Sequence, residues 1–256
     1  MGIKLIEACK ERDLNKLKKL LKSSSHRATI NKLYPFPGYS WSSTVLSYAC
    51  DINTYDFVET LLVNGARDDI EDSIGCWAIH YACQSDTDTL AKVKLLAERN
   101  ADNIHRITEQ HTPLMLVNDH DTLEYLLQKG ARVDDVEGDG QSALHYHYMR
   151  DAPTCINTLL KYGADVNLRN KDGDTPLHAA ALNAKFEAVK ALVASPACDV
   201  DLKNEKGQTA LDIARSKPYS SFKYYDEIIQ CLENINSHQA VYLGTRLRAK
   251  KNNVKH

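Results

Sequence analysis

One segment of this chain returns in altered form at a nearly constant interval, and that periodicity limits its folds more than any other feature. The clearest copy is Asp172-Gly173-Asp174-Thr175-Pro176-Leu177-His178-Ala179-Ala180. It recurs as Asp139-Gly140-Gln141-Ser142-Ala143-Leu144-His145 and as Lys206-Gly207-Gln208-Thr209-Ala210-Leu211-Asp212-Ile213-Ala214. Weaker copies are Gly75-Cys76-Trp77-Ala78-Ile79-His80-Tyr81-Ala82, Gln110-His111-Thr112-Pro113-Leu114-Met115 and Ser43-Thr44-Val45-Leu46-Ser47-Tyr48-Ala49. The Thr-equivalent positions are 44, 77, 112, 142, 175 and 209, spaced by 33, 35, 30, 33 and 34 residues. A second element trails the first at a steady offset: Leu61-Leu62-Val63-Asn64-Gly65-Ala66, Leu126-Leu127-Gln128-Lys129-Gly130-Ala131 and Leu159-Leu160-Lys161-Tyr162-Gly163-Ala164. A fixed period of this length is the signature of stacked repeats.

Each piece of the repeat has a mechanical reading. Thr or Ser ahead of an apolar turn is a helix N-cap, its oxygen accepting an otherwise unpaired backbone N–H. Proline one residue later occupies the first helical position, where its missing N–H costs nothing. A short helix then buries Leu and a small Ala. A second helix follows, with apolar residues three and four apart, as at Val189, Leu192 and Val193. Glycine ends it in a left-handed conformation. Asn100 stands where other copies have Gly, and Asn is expected to take the same conformation. Asp-Gly before the next Thr signals a turn. The unit is helix, turn, helix, then an extended or hairpin tip. One unit cannot bury its own apolar face; stacked units can, which predicts an all-α repeat solenoid.

Asp172–Ala180 and Gly163-Ala164-Asp165-Val166-Asn167 resemble the ankyrin repeat, in residue type and in period. The resemblance spans residues 40–232, and nearly the whole chain if a divergent first unit is included. It implies an ankyrin-type helix-turn-helix stack of about seven units with β-hairpin or extended tips. The expected divisions are an N-terminal cap at 1–40, repeats at about 41–74, 75–109, 110–139, 140–172 and 173–206, and a C-terminal cap at 207–236. Caps present one polar face to water. Residues 3–22 fit the first helix pair, and Thr209–Ala214 with Tyr225–Leu232 fit the last. Residues 23–40 read as a loop by their Pro and Gly content. Residues 237–256 read as a flexible basic tail.

Composition narrows the function classes. Across 256 residues, no apolar run reaches the length of about 18–20 residues that a membrane span needs. The N-terminus is charged too early for a secretory signal, and Ile6 stands where myristoylation needs Ser or Thr. Seven cysteines, odd in number and without a CxxC pair, point to a reducing compartment. The expected location is cytoplasmic, with the nucleus reachable through the basic tail. Residues 1–22 carry seven Lys/Arg against three Asp/Glu, and residues 237–256 carry five Lys/Arg and no acid. The intervening body is therefore acidic, which repels nucleic-acid phosphate. The tail, with Arg246, Arg248, Lys250, Lys251 and Lys255, reads as a solvated segment, a localisation signal or a membrane-surface contact.

The ankyrin resemblance implies a protein partner held on the first helices and the tips. The residue after the repeat's His position reads Tyr48, Tyr81, Leu116, Tyr146, Ala179 and Ile213. Three tyrosines there predict either an aromatic binding strip or rings that seal the seam between repeats. Tip and adjacent candidates are Cys76, Trp77, His111, Gln141, Asp174 and Gln208. Trp77 occupies the cap position itself, as an exposed anchor or a core substitute. The fifth repeat departs most, with His145-Tyr146-His147-Tyr148-Met149-Arg150, and its large residues are expected to push the helix outward or enter the groove. The fourth is short, Asn118-Asp119-His120-Asp121 replacing a full inter-helix turn. The expected partner-binding set is Tyr48, Trp77, Tyr81, His111, Gln141, Tyr146, His147, Met149, Arg150 and Asp174.

His80, His145 and His178 share one repeat position; the resemblance implies structural hydrogen bonds there, not a metal column. Cys50 and Cys83 read as buried core, their thiols inert. A catalytic set of Cys76, His111 and Asp139 can be written down, but no spacing singles it out. Phosphate-loop, zinc-protease and nucleophile-elbow motifs are absent from the sequence. The expectation is no enzyme activity, no cofactor and no metal, in a monomeric adaptor, scaffold or inhibitor. Two alternatives stand: a host-targeting effector of an intracellular bacterium or virus, or a small-molecule or enzymatic site at the atypical repeats 110–172.

Overall fold

The computed structural model describes residues 3–35, 40–147, 153–217 and 224–235. The chain divides into two compact units, Met1–Gly138 and Asp139–His256.

In the first unit the helices come in pairs: α1 (Ile3–Lys10) and α2 (Leu14–Leu21), α4 (Val45–Ile52) and α5 (Tyr55–Val63), α6 (Ala78–Gln84) and α7 (Thr89–Arg99), α8 (Pro113–Leu116) and α9 (His120–Gln128). Between the first two pairs lie a helical turn, α3 (Ser24–Arg27), and two short antiparallel strands, β1 (Tyr34–Pro35) and β2 (Ser42–Ser43), with Tyr34 opposite Ser43. The segment 23–40 is therefore not wholly loop. Its Ser-rich start lies ahead of the Pro-Gly cluster, and there the Ala28 N–H donates to the Ser24 carbonyl at 2.9 Å, closing the turn. In the second unit α10 (Ala143–His147) pairs with α11 (Pro153–Lys161) and α12 (Pro176–Leu182) with α13 (Phe186–Val193); α14 (Ala210–Ser216) and a helix over 224–235 follow.

Helices line up copy upon copy within each unit. In the first, α1, α4, α6 and α8 pack in succession, and so do α2, α5, α7 and α9. In the second, α12 packs between α10 and α14, and α11 packs on α13. The stacked faces are built from one residue per repeat. Leu46, Ile79, Leu114, Leu144 and Leu177, each two residues after the cap, are buried; so are Leu61, Leu96, Leu126, Leu159 and Leu192 in the second helices. Burying such a side chain contributes about 1.5–3 kcal/mol, so the seams rather than single helices hold the fold.

The caps explain why helices this short form. The oxygen of Thr44 accepts the Ser47 N–H at 3.0 Å, and that of Thr209 accepts the Asp212 N–H at 3.1 Å. The side chain three residues on returns the bond, and its chemistry varies. The acceptor is His80 Nδ1 for the Trp77 N–H at 3.3 Å, Met115 Sδ for Thr112 at 3.3 Å, His145 Nδ1 for Ser142 at 3.2 Å, His178 Nδ1 for Thr175 at 3.2 Å and Asp212 Oδ2 for Thr209 at 3.0 Å. A ring whose Nδ1 accepts carries its proton on Nε2. From there His145 donates to the Asp174 carbonyl at 3.1 Å and His178 to the Gln208 carbonyl at 3.0 Å, each in the next repeat.

Gly65, Gly130 and Gly163 end second helices with φ of 93°, 93° and 87°. Asn100 does not do the same. It is extended, with φ −145°, and its Oδ1 accepts the Asp102 N–H at 3.1 Å to start a 3-10 helix, Ala101–His105. Asn carries a side-chain acceptor that Gly lacks, so it caps the next turn instead of closing the last one.

Candidate functional site

Tips between repeats are built by one polar side chain that satisfies two backbone donors. Asp72 Oδ1 accepts the N–H groups of Ile74 and Cys76 at 3.0 and 2.9 Å. Asn170 does this for Asp172 and Asp174, and Asn204 for Lys206 and Gln208. Thr108 does it for Gln110 and His111 in a turn one residue shorter. Neighbouring tips are tied through the backbone: the Ser73 N–H reaches the Ser42 carbonyl, Gly138 reaches Glu109, Lys171 reaches Asp139 and Glu205 reaches Asp172, at 2.8–3.0 Å. Loops held this way present side chains from a rigid edge.

On the first unit that edge opens into a cleft of about 400 Å³, lined by Glu71, Ser73, Ile74, Gly75, Trp77, Ile107, Thr108 and Glu109. Ile74 is 50% exposed and Ile107 41%. Trp77 is half-buried, and the Arg106 guanidinium lies over its ring, 4.9 Å from the centroid. The Arg106 Nε donates to Asn103 Oδ1 at 2.9 Å, so this cation is held in place. An indole cannot accept a hydrogen bond, so α6 starts without the hydroxyl cap of other repeats and keeps only the returning bond to His80.

The expected site residues fall in different surroundings. Tyr48 is 5% exposed and Tyr81 7%, so no open aromatic strip exists at these two positions; the rings lie inside the stack. Tyr81 is held there by its hydroxyl, which donates to Asp72 Oδ2 at 2.6 Å. Burial, then that bond, pushes its pKa up. Leu116 and Ile213, on the same stripe, are buried as well. His147 is 1% exposed, so it neither enters the groove nor reaches solvent. It holds the position taken by Ala49, Ala82 and Ala180 in other repeats, which are buried too. Tyr146, Gln141, His111 and Asp174 are half-buried. Burial lowers the His111 pKa, and the Glu137 charge opposes it. Asp174 is drawn into the tip ties: its Oδ1 accepts from Asn204 Nδ2 at 2.8 Å. Tyr148, Met149 and Arg150 lie outside the described residues, as does the tail at 237–256.

Burial moves four of the cysteines away from the thiolate form. Burial pushes the thiols of Cys9 and Cys50 up to about 12 and raises Cys83 further. Cys76 rises to about 11 through burial, with Asp72 and Glu71 adding to it. A nucleophilic thiol needs the opposite shift.

Two features escaped sequence reading. One is the exposed pair Ile74 and Ile107, whose signal was an aliphatic residue inside turn chemistry, as in Asp72-Ser73-Ile74-Gly75. The other is Lys92, fully buried, whose Nζ donates to the carbonyls of Cys50 and Asn53 at 2.8 and 3.0 Å and to Ser85 Oγ at 2.6 Å. It closes the carbonyl end of α4, where a cation is favoured.

Among the described residues no helix is long and apolar enough to cross a membrane. A family model described as ankyrin repeats (3 copies) matches residues 5–107, 90–170 and 147–234. An ankyrin repeat protein of fowlpox virus is 37% identical over 119 residues, covering 43% of this chain and 35% of the relative. Ankyrin repeat domain-containing protein 37 of Bos taurus is 35% identical over 123 residues, covering 46% of this chain and 75% of the relative. This chain thus spans only 35% of the viral relative's length. The solved ankyrin repeat domain of human ASB11 superposes with a TM-score of 0.70 over 89% of this chain and 95% of that chain. At 24% identity that is a likeness of fold. Repeats of this kind are a protein-interaction module. Matched along most of its length, the chain belongs to the ankyrin-repeat family.

Proposed function

We propose that the chain is a non-catalytic protein-binding module, an adaptor, scaffold or inhibitor, which engages its partner through the tips and the half-exposed positions beside them. The observation that carries this reading is the tip edge of the first unit: a rigid turn framework holds Ile74, Ile107 and the Arg106-covered Trp77 at the surface. His111 belongs to the same edge; Gln141 and Asp174 hold the corresponding tip positions of the second unit, and Tyr146 is half-buried on its first helix. A standard interface covers roughly 800 Å² per partner, so a bound protein needs about three or four repeats.

The viral relative favours a second reading of the same surface, a host-targeting effector acting in the cytosol of the infected cell. The bovine relative favours an endogenous adaptor. Both readings share one test. Full-length chain is immobilised and exposed to cell lysate, beside a Trp77→Ala/His111→Ala/Tyr146→Ala variant matched for helicity. Proteins retained by the wild type and lost from the variant are expected. Retention of no specific protein sinks the function, and an unchanged set sinks the surface.

A further inference from the structure

We infer that the tip cleft of the first unit docks an extended protein segment in which one aliphatic side chain is flanked by arginine or lysine. This rests on the protein-binding reading and narrows it to a partner chemistry. Single exposed aliphatic residues are ordinary on protein surfaces. Here Ile74 and Ile107 come from adjacent tips and line one cleft of about 400 Å³ together with Trp77. Apolar side chains set among polar ones are a common make-up of a recognition site. The rim is acidic: Glu71 and Glu109 line it, and neither takes part in an ion pair among the described residues.

Of the nearby cations one is neutralised by a carboxylate and the other keeps its charge while being held in place. Arg67 is bound to Asp69 through two nitrogens, at 2.9 and 2.8 Å, and Arg106 is laid on Trp77 and bonded to Asn103. Asp102, four residues before Arg106 in the chain, is exposed as well. A largely polar cleft that holds two isoleucines, and in which two carboxylates outnumber one guanidinium, favours a basic segment over an acidic one. The chain itself contains one stretch of suitable chemistry, Arg246-Leu247-Arg248, which makes its own tail the competing occupant.

The test is fluorescence anisotropy with full-length protein and a labelled peptide of sequence Ser-Arg-Ile-Arg-Ser. Saturable binding is expected, weakened roughly tenfold by Glu71→Lys/Glu109→Lys and by Ile74→Ser/Ile107→Ser. All four positions are exposed, with the isoleucines about half so, and thermal melting is expected to move little. Peptides with serine for isoleucine, or glutamate for arginine, are expected to bind at least about tenfold more weakly. Equal binding by the variants, or by the glutamate peptide, overturns the inference. If the probe is ignored while the immobilised chain still retains lysate proteins, the cleft assignment fails and the protein-binding reading survives. An Arg246→Glu/Arg248→Glu full-length variant that binds the probe roughly tenfold more tightly identifies the tail as occupant, which also overturns docking of a separate partner.

Discussion

A buried lysine keeps its proton only if each hydrogen finds an acceptor, and Lys92 has three: two backbone carbonyls of the preceding repeat and the hydroxyl of Ser85. Truncating it removes packed methylenes and takes a donor from the Cys50 carbonyl, while the Thr87 hydroxyl still reaches the Asn53 carbonyl, so Lys92→Ala is expected to cost about 2–5 kcal/mol in denaturant unfolding. Burial is the largest influence on its pKa and lowers it from 10.5, while Cys50, Asp88, Asp51 and Asp86 oppose the fall. Between the folded value and 10.5 the unfolded chain therefore binds more protons, and stability rises with pH there. The stability difference between wild type and Lys92→Met should shift in favour of wild type across that alkaline window; a flat difference contradicts burial as the main cause. His80 follows the same sign at acid pH. Burial lowers it from 6.5 to about 4, so stability is complete above 6.5 and is lost as pH falls toward 4. That loss is about 3 kcal/mol, and a His80→Gln variant, compared with wild type at both ends of the range, should lack it.

Among the elements, the tips are the most exacting. Gly173 and Gly207 occupy equivalent turns with φ of +74° and +73°, a backbone that an L side chain enters at a cost of about 1–2 kcal/mol. Their surroundings differ. A Cβ at Gly207 meets nothing within 4 Å, whereas at Gly173 it falls 2.7 Å from Arg169 Nη2 and 2.9 Å from the Glu205 backbone nitrogen. The arginine can move, but that nitrogen already donates to Asp172 across the tips. Gly173→Ala is therefore expected to cost about 1–3 kcal/mol more than Gly207→Ala in chemical denaturation. Equal costs would mean the tie between these tips is slack. The contrast with the cap position is physical. His, Asp and Met each serve three residues after the cap because each reaches one N–H that the helix leaves unpaired, whereas Gly173 stands against backbone that has nowhere to go.

Across the whole chain, what the sequence made legible was whatever packing repeats. Leu46, Ile79, Leu114, Leu144 and Leu177 recur because each seam needs the same apolar volume at the same place, so the period could be read without coordinates. Residues that answer to a single neighbour carried no such signal. Lys92 looks like a solvated charge until carbonyls 42 and 39 residues away close over it. Tyr48 and Tyr81 allowed either a binding strip or rings that seal the seam, because the period does not say how deeply each ring is buried. Ile74 and Ile107 obey no seam at all, which is why they escaped notice and why they remain available for a partner. A stack built from seams also predicts how damage spreads. Its stability is a sum of repeat terms and nearest-neighbour terms, so the reach of a mutation is set by which helices its residue touches. Leu96 lies in α7, which packs against α5 and α9, while Leu17 lies in α2, which packs against α1 and α5. Both are fully buried, and truncation of either to alanine is expected to cost about 2–5 kcal/mol. Hydrogen exchange should nevertheless separate them. Leu96→Ala is expected to speed amide exchange in both α5 and α9, and Leu17→Ala in α1 and α5 with α9 unchanged. If Leu17→Ala deprotects α9 as strongly as Leu96→Ala does, the first unit opens as one block and the nearest-neighbour account of its stability is wrong.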